Sequence, residues 1–320
     1  MLLTNKKIEN IYDLFHTSFE DMYLDKFENH TRAFVKIQDG CNNFCSYCII
    51  PYTRGNVRSK KKENVISEIK ALVKNGYKEV VLTGIHTGHY GQDLKEYDFS
   101  DLLLELEQID GLERIRISSI EITELTDKFM DVLKTSKKIV NHIHIPLQSG
   151  CDKILKAMNR KYDMQYFINK INQIRSIRKD IAITSDVIVG FPGETDEDFN
   201  ITKENIKKIK FTELHVFPYS KREGTPAAIM KNQIDGNIKK QRVKELIKIS
   251  EEYYKKFIGK SLEVLVETYL DGYLIGHLSN YGKVKFKGDE SLLHNLVMVK
   301  LNDYINDEFM GELNKEEVQV

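Results

Sequence analysis

Cysteine is scarce in this chain: four in 320 residues, three of them inside the eight-residue window CNNFCSYC, residues 41–48. A disulfide framework would leave one of those three without a mate. No second C-x-x-C pair exists, so the usual zinc ribbon is excluded. Net charge is also lacking, because 48 Lys and Arg balance 48 Asp and Glu. A nucleic-acid partner would therefore have to be met by local patches. Long apolar runs are absent, and none approaches the length of a bilayer span. The N-terminal stretch MLLTNKKIENIYDLF has neither the apolar core nor the small-residue cleavage site of a signal peptide. With 41% hydrophobic and 30% charged residues and a mean hydropathy of −0.41, the composition is that of a globular protein, expected in the cytoplasm with no membrane partner. No internal repeat or low-complexity segment occurs.

Beyond residue 30, short β-rich runs alternate with helical patterns, the signature of βα units around a parallel sheet. RAFVKIQ, EVVLTG, RIRISS, NHIHIP, AITSDVIVG and ELHVFPYS read as strands, giving six units between residues 31 and about 220. Apolar periodicity predicts helices over 63–75, 99–108, 163–178 and 197–208. Thr195 and Asp198 form a capping-box pattern at the start of the last one. A long helix is expected over 234–257. Residues 260–320 change texture to short alternating strands (LEVLVETY, GKVKFK, LVMVKL) with turn-rich connections, as in a small all-β barrel. The expected fold class is α/β, with a barrel domain over 31–255 and a β-barrel domain over 256–320.

The parallel strands are not continuously apolar. Ile115 and Ile117 alternate with Arg116 and Ser118, Ile143 and Ile145 with His142 and His144, and Leu214 and Val216 with His215 and Phe217. Helices take the apolar face, so the polar face is expected to line a wet interior chamber. Any one of these histidines alone is more often structural.

Three cysteines at C-x-x-x-C-x-x-C spacing, with Tyr47 before the last and the group directly after the first strand, suit a [4Fe-4S] cluster whose fourth iron is left to a non-protein ligand. This segment resembles the radical S-adenosylmethionine (SAM) superfamily. KIQDGCNNFCSYCIIPYTRGNVRSK, LTGIHTG, HIPLQSGCDKILKAMNRKY, TSDVIVGFPGET and ELHVFPYSKREGTPAA are similar to its methylthiotransferases, and most of all to the branch acting on N6-threonylcarbamoyladenosine beside the tRNA anticodon. The last sixty residues resemble that family's TRAM domain, an RNA-binding β barrel. The likeness runs from Thr31 onward. It implies a partial (β/α)6 barrel and replacement of a carbon-bound hydrogen at C2 of that adenosine by a methylthio group. SAM, tRNA and an external one-electron reductant are the implied partners. Carried over by resemblance, Cys41, Cys45 and Cys48 hold the cluster and Tyr47 lies against the adenine of SAM. Thr83, Gly84, Gln148, Ser149, Asp186 and Gly190 sit around SAM at C-terminal strand ends, where βα barrels place their sites. For the glycines turn geometry is the ordinary reason, and for Asp186 and Gln148 burial with a backbone partner is an equal contender. Cys151 reads as a small buried thiol, with a fourth cluster ligand as the alternative.

Members of the resembled family carry a further N-terminal domain with three cysteines and a second cluster. Residues 1–30 contain no cysteine and resemble the end of that domain and its linker. The expectation is SAM binding and slow SAM cleavage, with methylthio transfer impaired unless a separate chain supplies the domain. Residues 259–320 carry six Lys and Arg against eleven Asp and Glu. The small barrel should therefore hold RNA phosphates weakly, with stacking of bases on Tyr281 or Phe286 as a possible aid. RNA contact is expected instead at Arg54, Arg58, Lys60, Lys61 and Lys62 and along residues 231–256, where eight basic residues face four acidic ones. Competing readings are a sibling enzyme acting on another tRNA adenosine or on a ribosomal-protein aspartate, and a non-catalytic RNA-binding remnant. A simple electron carrier is disfavoured, since carriers use four protein ligands.

Overall fold

The computed structural model describes residues 19–21, 23–27, 30–249 and 253–314. The segment 1–18, expected to be a domain remnant, lies outside the described residues. Seven strands form the first unit: β1 (Arg32–Asp39), β2 (Arg58–Ser59), β3 (Glu79–Gly84), β4 (Arg114–Ile117), β5 (His142–His144), β6 (Ala182–Val189) and β7 (Glu213–Pro218). They pair in the orders β2-β1-β3-β4 and β5-β6-β7, with only β2 antiparallel. Between the two sheets Ile115 donates to the Lys138 carbonyl and Val140 donates to the Ile115 carbonyl, which joins them into one curved wall of six parallel strands. The expected partial six-unit barrel is this wall.

Among the described residues nine helices accompany it: α1 (Ile50–Arg54), α2 (Lys62–Lys74), α3 (Phe99–Glu107), α4 (Asp127–Thr135), α5 (Asp152–Ala157), α6 (Met164–Ile177), α7 (Asp196–Ile209), α8 (Pro226–Ile229) and α9 (Gly236–Ile247). Val35, Ile37, Val80, Leu82, Ile115, Ile143, Ile183 and Val187 point outward and bury against Val65, Ile69, Leu72, Leu102, Phe129, Phe167 and Phe199 of the helices. This is the apolar half of the strand alternation, and its removal from water supplies most of the driving force for the unit. The α7 capping box forms as expected: Thr195 accepts from the Asp198 N–H, and Asp198 accepts from the Thr195 N–H.

The expected helix over 234–257 is shorter. α9 stops at Ile247, residues 250–252 are outside the described set, and Tyr254–Phe257 is a single 3-10 turn. The periodic apolar stripe serves two separate cores, Leu246 that of the first unit and Phe257 that of the second, so its continuity in sequence is not continuity of one helix. The second unit is a closed barrel of β8 (Ser261–Leu270), β9 (Tyr273–Leu278), β10 (Lys283–Lys287), β11 (Leu296–Ile305) and β12 (Glu308–Leu313), in the order β10-β12-β11-β8-β9. Its core includes Val264, Val266, Leu274, Val284, Phe286, Val299 and Phe309. Phe286 is fully buried there and offers no stacking surface to a base.

The barrel docks on the N-terminal ends of the parallel strands. Arg114 pairs with Glu263 at 2.7 Å, Arg32 with Glu267 at 3.1 Å, and Asn141 donates to Ser279 at 2.7 Å. The turn after β9 pushes Tyr281 into that end of the chamber. Its ring stacks on His142 with centroids 5.2 Å apart, and the Arg116 guanidinium lies 4.9 Å above it. Tyr281 is thus a domain contact, although it remains 39% exposed. No helix among the described residues is long and apolar enough to cross a membrane.

Lys60, expected on the RNA surface, is 1% exposed, with its ammonium 2.5 Å from Glu68 and 2.9 Å from Asp21. A basic run in sequence says nothing about which member turns inward, and Lys60 does so because Glu68, nearly two turns into α2, is buried too. Breaking a buried pair from one side strands a charge, whereas removing both charges does not. Lys60→Met, which strands the buried Glu68 carboxylate, should destabilise the chain by about 3 kcal/mol in urea unfolding, while the double substitution Lys60→Met and Glu68→Met should cost about 1 kcal/mol or less.

Candidate active site

The cysteine loop leaves the C-terminal end of β1. Gly40 makes the turn at φ +76°, and a Cβ there would stand 1.9 Å from the Asn56 carbonyl oxygen. Cys41 donates to the Gly55 carbonyl, which ties the start of the loop to its end. Cys48 donates to the Cys45 carbonyl, holding these two residues in one tight turn. The middle of the loop is anchored from both sides, since Ser46 donates to the carbonyls of Met158 and Ala157 and accepts from the Ala227 N–H. Tyr47 packs on a buried group that includes Cys151, Met158, Phe191 and Tyr219.

Cys41 and Cys48 are partly exposed, Cys45 is buried, and all three are free thiols. Burial pushes the Cys45 thiol up, opposed by the Arg160 guanidinium, which donates to its Sγ at 3.4 Å. Burial also raises Cys48, and the neighbouring thiols add to it. Arg160 is buried, pairs with Glu121 at 2.8 Å and donates to the Tyr162 hydroxyl, yet its Nη2 has no hydrogen-bond partner. On the other side, His86 places Nδ1 3.5 Å from the Cys41 Sγ and Nε2 against Glu124, which also meets His89 at 3.0 Å. Three soft sulfur donors, flanked by a fixed cation with a spare donor, fit an anionic iron–sulfur cluster ligated by thiolates. Cys151 stands apart from them. It is 3% exposed, lies beside Asp198 and precedes α5, as a structural thiol does.

The inner face of the wall is polar, as the strand alternation predicts. His142 and His144 both meet the Thr184 hydroxyl, at 3.0 and 2.9 Å. Asp186 lies 3.3 Å from His144 and 3.1 Å from His215, with the two imidazoles stacked 5.6 Å apart. His215 also meets Glu213 at 3.4 Å. Asp186 and Glu213 hold His215 protonated, pushing its pKa up to about 10 against the effect of partial burial. Burial works to raise the Asp186 carboxyl, but hydrogen bonds from the two histidines outweigh it and hold it well below the usual range. Arg116 donates to Glu79 at 2.6 Å from the same face.

The remaining expected residues divide into two groups. Thr83 and Gly84 end β3 beside Lys36 and Gln38 of β1, and Gly84 leaves room for the Gln38 side chain, whose carbonyl accepts from the His86 N–H. Gln148, at φ +64°, stitches its loop to β6 by donating to Asp186 and accepting from Ile188. Gly190 donates to Glu194, itself paired with Arg242 of α9. These positions ring the same C-terminal strand ends as the thiols. Ser149 does not belong with them: it is fully buried, accepts from the Cys151 N–H and faces Thr202 of α7, so its side chain shapes the loop. Arg160, His86 and Glu124 escaped the sequence reading. Arg160 and His86 lie within stretches that carry the resemblance, but nothing in their spacing shows that they converge on the thiols.

The family profile of the Radical SAM superfamily matches residues 35–206. Threonylcarbamoyladenosine tRNA methylthiotransferase MtaB of Bacillus subtilis is 50% identical over 293 residues, covering 88% of this chain and 65% of that protein. A tRNA-2-methylthio-N(6)-dimethylallyladenosine synthase of Desulfitobacterium hafniense is 43% identical, with coverage of 88% and 65%. One of the same name from Clostridium tetani is 38% identical, with coverage of 96% and 69%. The chain thus spans about two thirds of the length of these relatives. Among solved structures, the radical SAM methyltransferase TsrM of Kitasatospora setae shares the fold at a TM-score of 0.52, with 16% identity over 62% of this chain and 38% of that one. The barrel, the thiol loop at its mouth and these likenesses agree: the chain belongs to the radical SAM superfamily, among its methylthiotransferases.

Proposed function

We propose that this chain binds a [4Fe-4S] cluster and SAM and serves methylthiolation of N6-threonylcarbamoyladenosine in tRNA. The observation that carries the reading is the three-thiol loop opening onto a polar chamber closed at its far end by the second barrel. Cys41, Cys45 and Cys48 would hold the cluster, and Tyr47, Thr83, Gly84, Gln148, Asp186 and Gly190 would surround SAM. When bound, the pair supplies one-electron chemistry that abstracts hydrogen from carbon, driven by an external reductant. The chain's own part is to position and to shield. Tyr281 and the ion pairs around Arg114 shut the N-terminal end of the chamber, limiting water access from that side.

The chamber wall also bears on the substrate. A prenylated adenosine would gain from an apolar wall, whereas a threonylcarbamoyl group brings a carboxylate. The inner face is polar, with His215 paired to Asp186 and Glu213 and Lys36 paired to Asp39, which suits a polar threonylcarbamoyl group better than a prenyl chain. The higher identity to the threonylcarbamoyladenosine relative supports the same choice. Sulfur insertion requires a donor, and the described cysteines provide ligands for one cluster.

Reduced, cluster-loaded protein should release 5′-deoxyadenosine from SAM, and more with an anticodon arm bearing threonylcarbamoyladenosine than with one bearing dimethylallyladenosine. Equal or inverted preference would reject the substrate assignment. Replacing Cys41, Cys45 or Cys48 by Ala should abolish cluster absorbance and 5′-deoxyadenosine release, and Cys151→Ala should preserve both. For His215, the folded value lies above the unfolded value of about 6.5, so its contribution to stability is fully present below that pH and is lost as pH rises through about 10. Asp186→Asn removes the first cause of that elevation, and a histidine NMR titration should show His215 losing its proton nearer neutrality.

A further inference from the structure

We propose that the groove between the C-terminal ends of α6 and α7 and the segment entering the second barrel is a docking site for RNA backbone phosphates. The inference rests on the tRNA reading above and gives that partner a surface. The groove encloses about 660 Å³ and is rimmed by Arg175, Lys179, Lys207, Lys210, Lys248 and Lys256. Its floor is apolar, with Ile206, Phe211 and Leu214, and among the described residues no Asp or Glu lines it.

Cations collect at helix C-terminal ends for a structural reason, since they satisfy the last carbonyls. Here Arg175 already does so, donating to the carbonyls of Ile209 and Lys210. Lys207 pairs with Glu204 and Lys256 with Asp180. Lys179, Lys210 and Lys248 make no ion pair among the described residues, so their charge is available to a ligand. In the patch expected beside the cysteine loop, by contrast, three of the five cations are engaged, while Arg54 and Lys61 make no ion pair among the described residues. Lys60 is buried against Glu68, Lys62 pairs with Glu105, and Arg58 reaches Asp39.

Position selects RNA as the occupant. Tyr253, which lines the groove, also packs against the core of the second barrel, so the groove adjoins that barrel. The barrel is acidic, with six basic against eleven acidic residues over 259–320, and cannot neutralise phosphates unaided. An RNA resting on it would gain further positive charge from this groove, beyond Lys285 and Lys287 of the barrel itself.

Binding of an unmodified tRNA transcript to the cluster-loaded chain, followed by anisotropy between 50 and 200 mM salt, tests the assignment. The triple variant Lys179→Gln, Lys210→Gln, Lys248→Gln should bind about tenfold or more weakly and lose about two to three from the slope of log affinity against log salt. The corresponding triple Lys→Arg variant should retain both affinity and slope. Unchanged affinity and slope in the Gln variant, with wild-type protein binding tRNA, would overturn the groove and leave the tRNA reading standing. Wild-type protein that holds no tRNA at 50 mM salt would overturn both. Equal melting temperatures of the two variants would show that the comparison reports charge and not folding.

Discussion

The structure depends on one division of labour along its parallel strands: apolar side chains outward into helices, polar side chains inward. A sheet covered by helices on one face normally fills the other face with a packed core. Here the inner face carries His142, His144, Thr184, Asp186, His215, Arg116 and Glu79, which are stabilised by pairing with each other. Buried polar groups are tolerable when satisfied, and costly otherwise. The pairings keep a hollow open without collapse, and the thiol loop stands at its mouth.

Each end of that hollow is closed differently. At the C-terminal strand ends the cysteine loop is stitched by Gly40, Ser46 and the Cys41 to Gly55 hydrogen bond, which hold the three thiols in one anchored loop. Arg160 adds a buried cation beside Cys45, suited to an anionic cluster. At the opposite end the second barrel inserts Tyr281, and Arg114 and Arg32 grip its edge. The second barrel is thereby held in fixed register with the chamber wall.

Much of this was legible in the sequence because it depends on local periodicity. The six strands, four of the helices, the α7 capping box and the polar inner face all follow from alternation and spacing that neighbouring residues express. The thiol loop was legible because its chemistry lies within eight residues. What escaped depends on contacts between distant segments. Lys60 turns inward only because Glu68 and Asp21 meet it, Tyr281 points into another domain, and Arg160 reaches Cys45 across more than a hundred residues of chain. The helix over 234–257 was overextended because one periodic stripe feeds two cores. Lys248 and Lys256 of the proposed groove fall in the basic stretch expected over 231–256, but Arg175, Lys179, Lys207 and Lys210 join them from two other segments that the sequence does not link.

The central claim is that three thiolates hold a cluster whose remaining iron faces the chamber and takes SAM. Mössbauer spectroscopy of cluster-loaded protein, before and after SAM, addresses it directly. The account predicts that one iron of the four changes its spectrum when SAM is added, while the other three stay as they were. Four irons that remain equivalent with SAM present, or a purified protein that carries zinc in their place, would contradict it.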